Sequence, residues 1–315
     1  MPGGGTGVIV VTGATGFLGQ RVCRLLAQQG RAFTRISRSL GVDLRDAAAT
    51  RAALCAAFEG QSERKLIHCA AHVGGIQFGL TRAAELFHHN LAMTLSLNEA
   101  AVAAGVQRLV NPISNCAYPG AATLFKEAEF WDGPLHDSVL AYGFARKASW
   151  VGAWAYAQQH GLDTLSLILS NMYGPGDHFE PERSHALGAL IHRIHAAREA
   201  GAEEVQIWGS GTPVREWLHV DDGAEALVRG LDAPTCTEPV NIGVAQGISI
   251  LDMARLIAGE LGYGGRLVTD PSKPDGAPYK TVDGTHGAAL LGWRPSRDFH
   301  QGVRDTIAGY LQCRK

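Results

Sequence analysis

Short apolar runs alternate with longer stretches of helical period through the first half of the chain. Runs at 8–12, 32–37 and 66–70 read as strands, and apolar positions recur at helical spacing over 17–29 and 47–58 between them. A long helical pattern over 81–104 leads into an apolar run at 108–114, and another over 142–160 leads into 164–169. That rhythm predicts parallel βαβ units and hence an α/β fold, a Rossmann-like doubly wound parallel sheet. After Asn171 the pattern breaks into loops rich in Gly, Pro and His, with a helical stretch at 186–200 and short strands near 205–208 and 215–219. Helices near 221–231 and 251–261 flank a strand at 239–242. The second pattern predicts a smaller C-terminal substrate-binding lobe. Residues 1–170 and 216–244 are assigned to the sheet domain, and 171–215 and 245–315 to the lobe.

Composition narrows the class. With 315 residues and 46% hydrophobic positions the chain can bury a full core. Its 28 Lys and Arg nearly balance 30 Asp and Glu, which gives no reason to expect nucleic acid or an anionic membrane as a partner. Six cysteines are scattered without a CxxC pair or metal-ligand spacing, so neither a disulfide framework nor a metal site is expected. The opening MPGGGTG lacks the basic and long apolar regions of a signal peptide. No apolar run approaches the roughly 18 residues of a membrane span. A cytoplasmic protein is expected.

The most specific local signal is VIVVTGATGFLG. Gly13, Gly16 and Gly19 follow a strand directly and open a helix, the arrangement that lets backbone approach a pyrophosphate at a helix N-terminus. The next strand ends in RISR with no acidic residue to grip a ribose 2′-hydroxyl. Arg35, Ser37 and Arg38 fit a 2′-phosphate instead, so NADP is expected over NAD. The expected cofactor contacts are Gly13, Thr15, Gly16, Phe17, Leu18, Gly19, Arg38, Asp43, Leu44 and Ala70, with Asp43 and Leu44 toward the adenine.

A second constellation lies further on. Ser114 and Cys116 close a predicted parallel strand, and Tyr142 opens a helix that carries Arg146 one turn later. A Ser and a Tyr that bond a substrate oxygen, with a cation beside the Tyr, resemble the extended short-chain dehydrogenase constellation. Tyr142 and Arg146 would also flank the nicotinamide.

Longer blocks resemble one family within that group. HCAAHVGGIQ, SNCAYPG, SNMYGPGDHF, SHALGALIHRIH, WGSGTPVREWLHVDD and SKPDGAPYK, spread over almost the whole chain, are similar to those of the GDP-L-fucose synthases. These are NADPH-dependent 3,5-epimerase-4-reductases of GDP-4-keto-6-deoxymannose. The resemblance implies a homodimer and a nucleotide-diphosphate-sugar substrate bound by the C-terminal lobe. It implies Cys116 and His185 as the acid–base pair for C3 and C5, and Ser114 and Tyr142 on the C4 oxygen. Arg193, Arg215 and Lys280 would hold the diphosphate, and Asn171 and Trp208 would line the base and sugar.

One position departs from the pattern. The family has Lys at the fourth residue after the Tyr, where this chain has Arg146, and Lys147 is rotated by about 100° around the helix. Arg keeps the charge but cannot relay a proton. Two further readings therefore stand beside the leading one. The first is an epimerase or C4-reductase for another nucleotide sugar, such as a GDP-heptose or a secondary-metabolite sugar. The other is a catalytically silent NADP-sensing protein of the same fold.

Overall fold

The structure, a computed structural model, describes residues 7–180 and 184–314. Most of the MPGGGTG stretch therefore lies outside the described residues. The first half forms β1 (Val8–Thr12), α1 (Phe17–Gln28), β2 (Phe33–Ile36), α2 (Ala47–Ala57), β3 (Arg64–His68), α3 (Ile76–Thr81), α4 (Ala83–Ala103), β4 (Arg108–Ser114), α5 (Leu140–His160) and β5 (Asp163–Leu169). Then follow β6 (Asn171–Tyr173), α6 (Ala186–Glu199), β7 (Glu204–Trp208), β8 (Val214–His219), α7 (Val220–Gly230) and β9 (Val240–Ile242). The chain ends with β10 (Gly247–Ser249), α8 (Ile250–Leu261), β11 (Arg266–Asp270), β12 (Tyr279–Lys280), α9 (Thr285–Leu291) and α10 (Phe299–Gln312).

The central sheet runs β2-β1-β3-β4-β5-β9 with every pairing parallel. Its strands β1, β4 and β5 are buried on both faces, as a sheet covered on both sides requires, while the edge strand β2 leaves Arg35 exposed. Leu18, Val22 and Leu26 of α1 and Leu227 of α7 pack on one face, joined by Leu291 of α9. Leu54 of α2 and Leu97 and Ala101 of α4 cover the other. Strand order reverses between β1 and β3, so the crevice for a ligand opens at their carboxyl ends.

The remaining strands form two small sheets. In one, β8 pairs with β10 and β12 along its first half and with β6 along its second; β7 and β11 form the other. Around them α6, α8 and α10 bury Leu190, Ile257 and Ile307 in a separate apolar cluster. Among the described residues no helix is long and apolar enough to cross a membrane.

Several element ends shift by one or two residues, the strand expected over 66–70 lying at Arg64–His68 and the helix expected from 142 starting at Leu140, and two further differences have a structural cause. The helix expected over 81–104 is interrupted at Arg82, whose φ of −129° and ψ of 37° leave the helical range. There α3, packed on the turn at 137–139, gives way to α4, packed on α2 and α5. The strand expected over 32–37 stops at Ile36 because the Ser37 carbonyl accepts the Leu40 and Val42 amides in a turn. The short strands β6, β10, β11 and β12 carried no periodic signal, being two to five residues long.

Candidate active site

The glycine turn connects β1 to α1 at the switch point. Gly13 has φ of +65°, and a Cβ there would stand 2.5 Å from the Ala70 nitrogen, so only glycine fits between the ends of β1 and β3. Gly16 is the extended N-cap of α1 and its amide bonds the Gly13 carbonyl at 2.9 Å. No acidic side chain occupies the first turn of α1, so the positive helix end faces the crevice without a competing anion. Phe17, Leu18 and Gly19 form that turn. Behind it three hydroxyls converge: Thr15 lies 3.0 Å from Ser37 and 2.8 Å from Ser39, and Ser37 and Ser39 are 3.1 Å apart. With exposed Arg38 between the serines, this cluster suits a phosphate, which accepts from every one of these donors. Ser39 had no distinctive sequence signal, since a single Ser in a turn is commonplace.

Beyond this cluster Leu44 is buried and Asp43 is half exposed. Arg45 was not singled out by the sequence, yet its Nε donates to both Asp43 oxygens at 2.9 and 3.1 Å. These bonds lower the Asp43 pKa to about 2. The residues at this end of the sheet thus fit a dinucleotide with a 2′-phosphate.

The second group gathers at the end of β4. Ser114 caps the tight turn at 115–117, its hydroxyl accepting the Cys116 amide at 3.2 Å. Helix α5 lands directly on that turn: a Cβ on Gly143 would lie 2.3 Å from the Cys116 carbonyl oxygen. The close approach sets Tyr142 at the turn that carries Ser114 and Cys116. Burial raises the Tyr142 pKa, against the opposing influence of Arg146 and Ser114, and the phenol holds its proton at neutral pH. Arg146 is buried and donates to the Pro112 carbonyl. Lys147 turns elsewhere, its ammonium 4.6 and 4.4 Å from the Phe130 and Trp131 ring centres.

The small β6–β8–β10–β12 sheet brings cations to the same place. Parallel pairing sets Arg215 of β8 beside Lys280 of β12, and Lys280 Nζ donates to Cys116 Sγ at 3.1 Å. Burial alone would raise the Cys116 pKa, but Lys280, the Ser114 hydroxyl and Arg215 outweigh it and hold the thiol below its usual value. Lys280, expected only on a diphosphate, is thus also the partner of the thiol. Arg215 donates to the Val214 and Asp275 carbonyls, and burial lowers its pKa to about 10, leaving it charged. Glu216, another residue without a sequence signal, ties the sheets together. Its carboxylate accepts from the Ser170 hydroxyl at 2.6 Å and the Val244 and Val282 amides at 2.8 and 2.9 Å.

His185 is the exposed N-cap of α6. Desolvation by the surrounding protein, and then the charges of Lys280 and His178, lower its pKa. Asn171 donates to the Glu216 carbonyl at 3.0 Å on the edge of the same sheet. Arg193 and Trp208 form a separate pair, with the guanidinium 4.8 Å from the ring centre and bonded to the Gln206 carbonyl at 3.1 Å. Asp275 connects the two groups, accepting the Ser210 amide at 2.7 Å while its carbonyl holds Arg215. Ser114, Cys116, Tyr142, Arg146, His185, Arg215 and Lys280 are thereby brought together, and Arg193 and Trp208 stand one loop away.

A dinucleotide cradle at the switch point, facing a Ser–Tyr pair on the end of β4, defines an enzyme of the extended short-chain dehydrogenase/reductase class. Residues 9–243 match the NAD dependent epimerase/dehydratase family. GDP-L-fucose synthase 1 of Arabidopsis thaliana is 37% identical over 306 residues, covering 96% of this chain and 93% of that enzyme. The structure of a GDP-L-fucose synthetase from Naegleria fowleri bound to NADP superposes with a TM-score of 0.86 at 27% identity, over 98% of this chain and 93% of that one. A GDP-6-OMe-4-keto-L-xylo-heptose reductase from C. jejuni reaches a TM-score of 0.87 over 98% and 99% of the two chains, at 21% identity, which shows a shared fold alone. The chain belongs to the NAD dependent epimerase/dehydratase family and, within it, to the GDP-L-fucose synthase family.

Proposed function

We propose that this enzyme binds NADPH and a GDP-linked 4-keto-6-deoxyhexose, inverts C3 and C5, and reduces C4. The observation that carries the reading is the Lys280–Cys116 contact at 3.1 Å beside Ser114 and Tyr142, an acidified thiol next to an oxygen-binding pair. A 4-ketone acidifies the hydrogens on C3 and C5. Cys116, held toward the thiolate, takes a proton from one face of the ring. His185 returns one to the other face; desolvation is the larger cause of its lowered pKa, and a diphosphate bound near Lys280 would offset the smaller, electrostatic part. Ser114 and Tyr142 hold the enolate oxygen. NADPH, when bound, supplies the hydride for C4. Tyr142, protonated at neutral pH, donates the proton to the C4 oxygen. Arg215 and Lys280, with Arg193, hold the diphosphate, while Trp208 and Asn171 line the base and sugar. In this reading the substrate cleft lies between a sheet domain of residues 1–170 and 216–244 and a C-terminal lobe of 171–215 and 245–315, although Leu291 of α9 packs on the sheet.

Arg146 supports a second reading. Anchored on the Pro112 carbonyl, it supplies charge but no transferable proton, which favours epimerisation over reduction or a different GDP-sugar such as a heptose. One experiment separates the two. A panel of 4-keto nucleotide sugars is incubated with NADPH in deuterated water, using the wild type and Arg146→Lys. NADPH oxidation together with ring deuteration supports the bifunctional enzyme. Deuteration without oxidation in either form leaves only epimerisation, and neither signal overturns both readings in favour of a silent NADP-binding protein.

A homodimer is proposed through α4 and α5. These helices pack on each other yet leave Phe87 and Leu95 of α4 and Phe144, Val151 and Trp154 of α5 exposed, an apolar face suited to a second copy. A monomeric mass in solution would overturn this. The free thiols of all six cysteines support a cytoplasmic setting.

A further inference from the structure

We propose that His72, Glu85 and His89 form a binding site for a divalent transition metal of the zinc type, beside the adenosine end of the cofactor cradle. This goes beyond the reaction assigned above and uses none of its residues. Each side chain offers one ligand atom, and these atoms lie within 4.8 Å of one another. Glu85 and His89 are four residues apart on α4 and so share a helix face, while His72 comes from the loop after β3. His72 is held in register with the helix by buried Asn90. The Asn90 amide donates to the His72 carbonyl at 2.8 Å and accepts the His72 amide at 3.1 Å. The His72 Nε2 atom is enclosed and has no hydrogen-bond partner among the described residues. A nitrogen left dry and unpaired costs free energy, and a metal ion or a ligand water would satisfy it.

The donor set selects the ion. Two imidazoles and one carboxylate suit Zn²⁺ or Co²⁺ over the all-oxygen preference of Ca²⁺ and Mg²⁺, and three protein ligands leave a position for water. Closing the three atoms onto bonds of about 2.0–2.2 Å takes side-chain rotation, since Asn90 already fixes the backbone of His72. Two cations stand nearby. Arg82 bonds Glu85 at 2.9 Å, and Arg45 approaches the His89 ring nitrogens at 3.3 and 3.4 Å. Both have room to withdraw: Arg45 is already bonded through Nε to Asp43, and Arg82 is exposed. Their charge sets the affinity below that of a structural zinc site. The ligands were not legible as a set because cysteine spacing carries no information about a loop histidine meeting a helix.

The test is Co²⁺ titration of the full chain after chelation, read by visible d–d absorption, with Zn²⁺ added to displace it. His72→Ala and His89→Ala should each weaken binding at least about tenfold. Glu85→Gln, conservative and at a half-buried position, should weaken it while leaving the fold intact, and His300→Ala, at an exposed site on α10, should change nothing. Far-UV circular dichroism checks that each variant is folded. Absence of d–d absorption at millimolar Co²⁺, or absorption that survives in all three ligand variants, would overturn the site.

Discussion

Replacing Lys280 by Met removes the ammonium beside Cys116 and keeps most of its apolar stem. At 3.1 Å a unit charge stabilises a thiolate by about 5 kcal/mol, taking an effective dielectric constant of about 20. Arg215 remains, and water entering the space vacated by the ammonium recovers part of the loss. Burial, which alone would raise the thiol pKa, is then opposed only by the Ser114 hydroxyl and Arg215. The expected result is a rise of one to two pKa units, or about 1.4 to 2.7 kcal/mol. The assay is the pH dependence of Cys116 alkylation by iodoacetamide, followed by mass spectrometry of the peptide carrying Cys116, so that exposed Cys55 and Cys313 do not contribute. The wild-type midpoint should fall below the ordinary thiol value of 9.0, and that of Lys280→Met should move to the alkaline side. Lys280→Arg, which keeps the charge, should restore most of the shift. In deuterated water at neutral pH, ring deuteration by Lys280→Met should fall by about tenfold or more. Equal alkylation midpoints in the wild type and Lys280→Met would refute the electrostatic argument, whatever happens to turnover.

Gly143→Ala should cost about 1–3 kcal/mol and depress turnover, because its Cβ would stand 2.3 Å from the Cys116 carbonyl oxygen; thermal melts and initial rates check this together. Ser39→Asp should turn a phosphate donor into a repelling anion, lowering the preference for NADPH over NADH, as read from kcat/KM with each. His68 is buried, bonded to Thr12 at 2.8 Å, and burial lowers its pKa from 6.5 to about 3. Between those values the unfolded state binds the extra proton, so this histidine stabilises less as the pH falls through that window. At pH 4.5 the loss is about 2.7 kcal/mol. Denaturant midpoints of His68→Gln should therefore fall less steeply with acid than those of the wild type, and parallel curves would count against the assignment.

Much of the fold was legible because parallel strands are buried on both faces and announce themselves as continuous apolar runs. The glycine turn was legible because Gly13 and its neighbours satisfy a local geometric demand, with the strand and helix on either side supplying the context. The Ser114 and Tyr142 positions followed from strand end and helix start in the same way. Lys147 likewise points away from Tyr142, as one further step around a helix requires. What the chain alone could not show is how distant segments meet. Arg215 and Lys280 become neighbours through a two-residue strand pairing too short to leave a periodic trace. Only that pairing turns Lys280 into the partner of Cys116. Glu216, Arg45 and the hydroxyls of Thr15, Ser37 and Ser39 acquire their roles by the same kind of convergence. The residues able to do chemistry are thus written into the chain by type, whereas their electrostatics depend on distances of a few ångströms, which packing sets and local sequence does not.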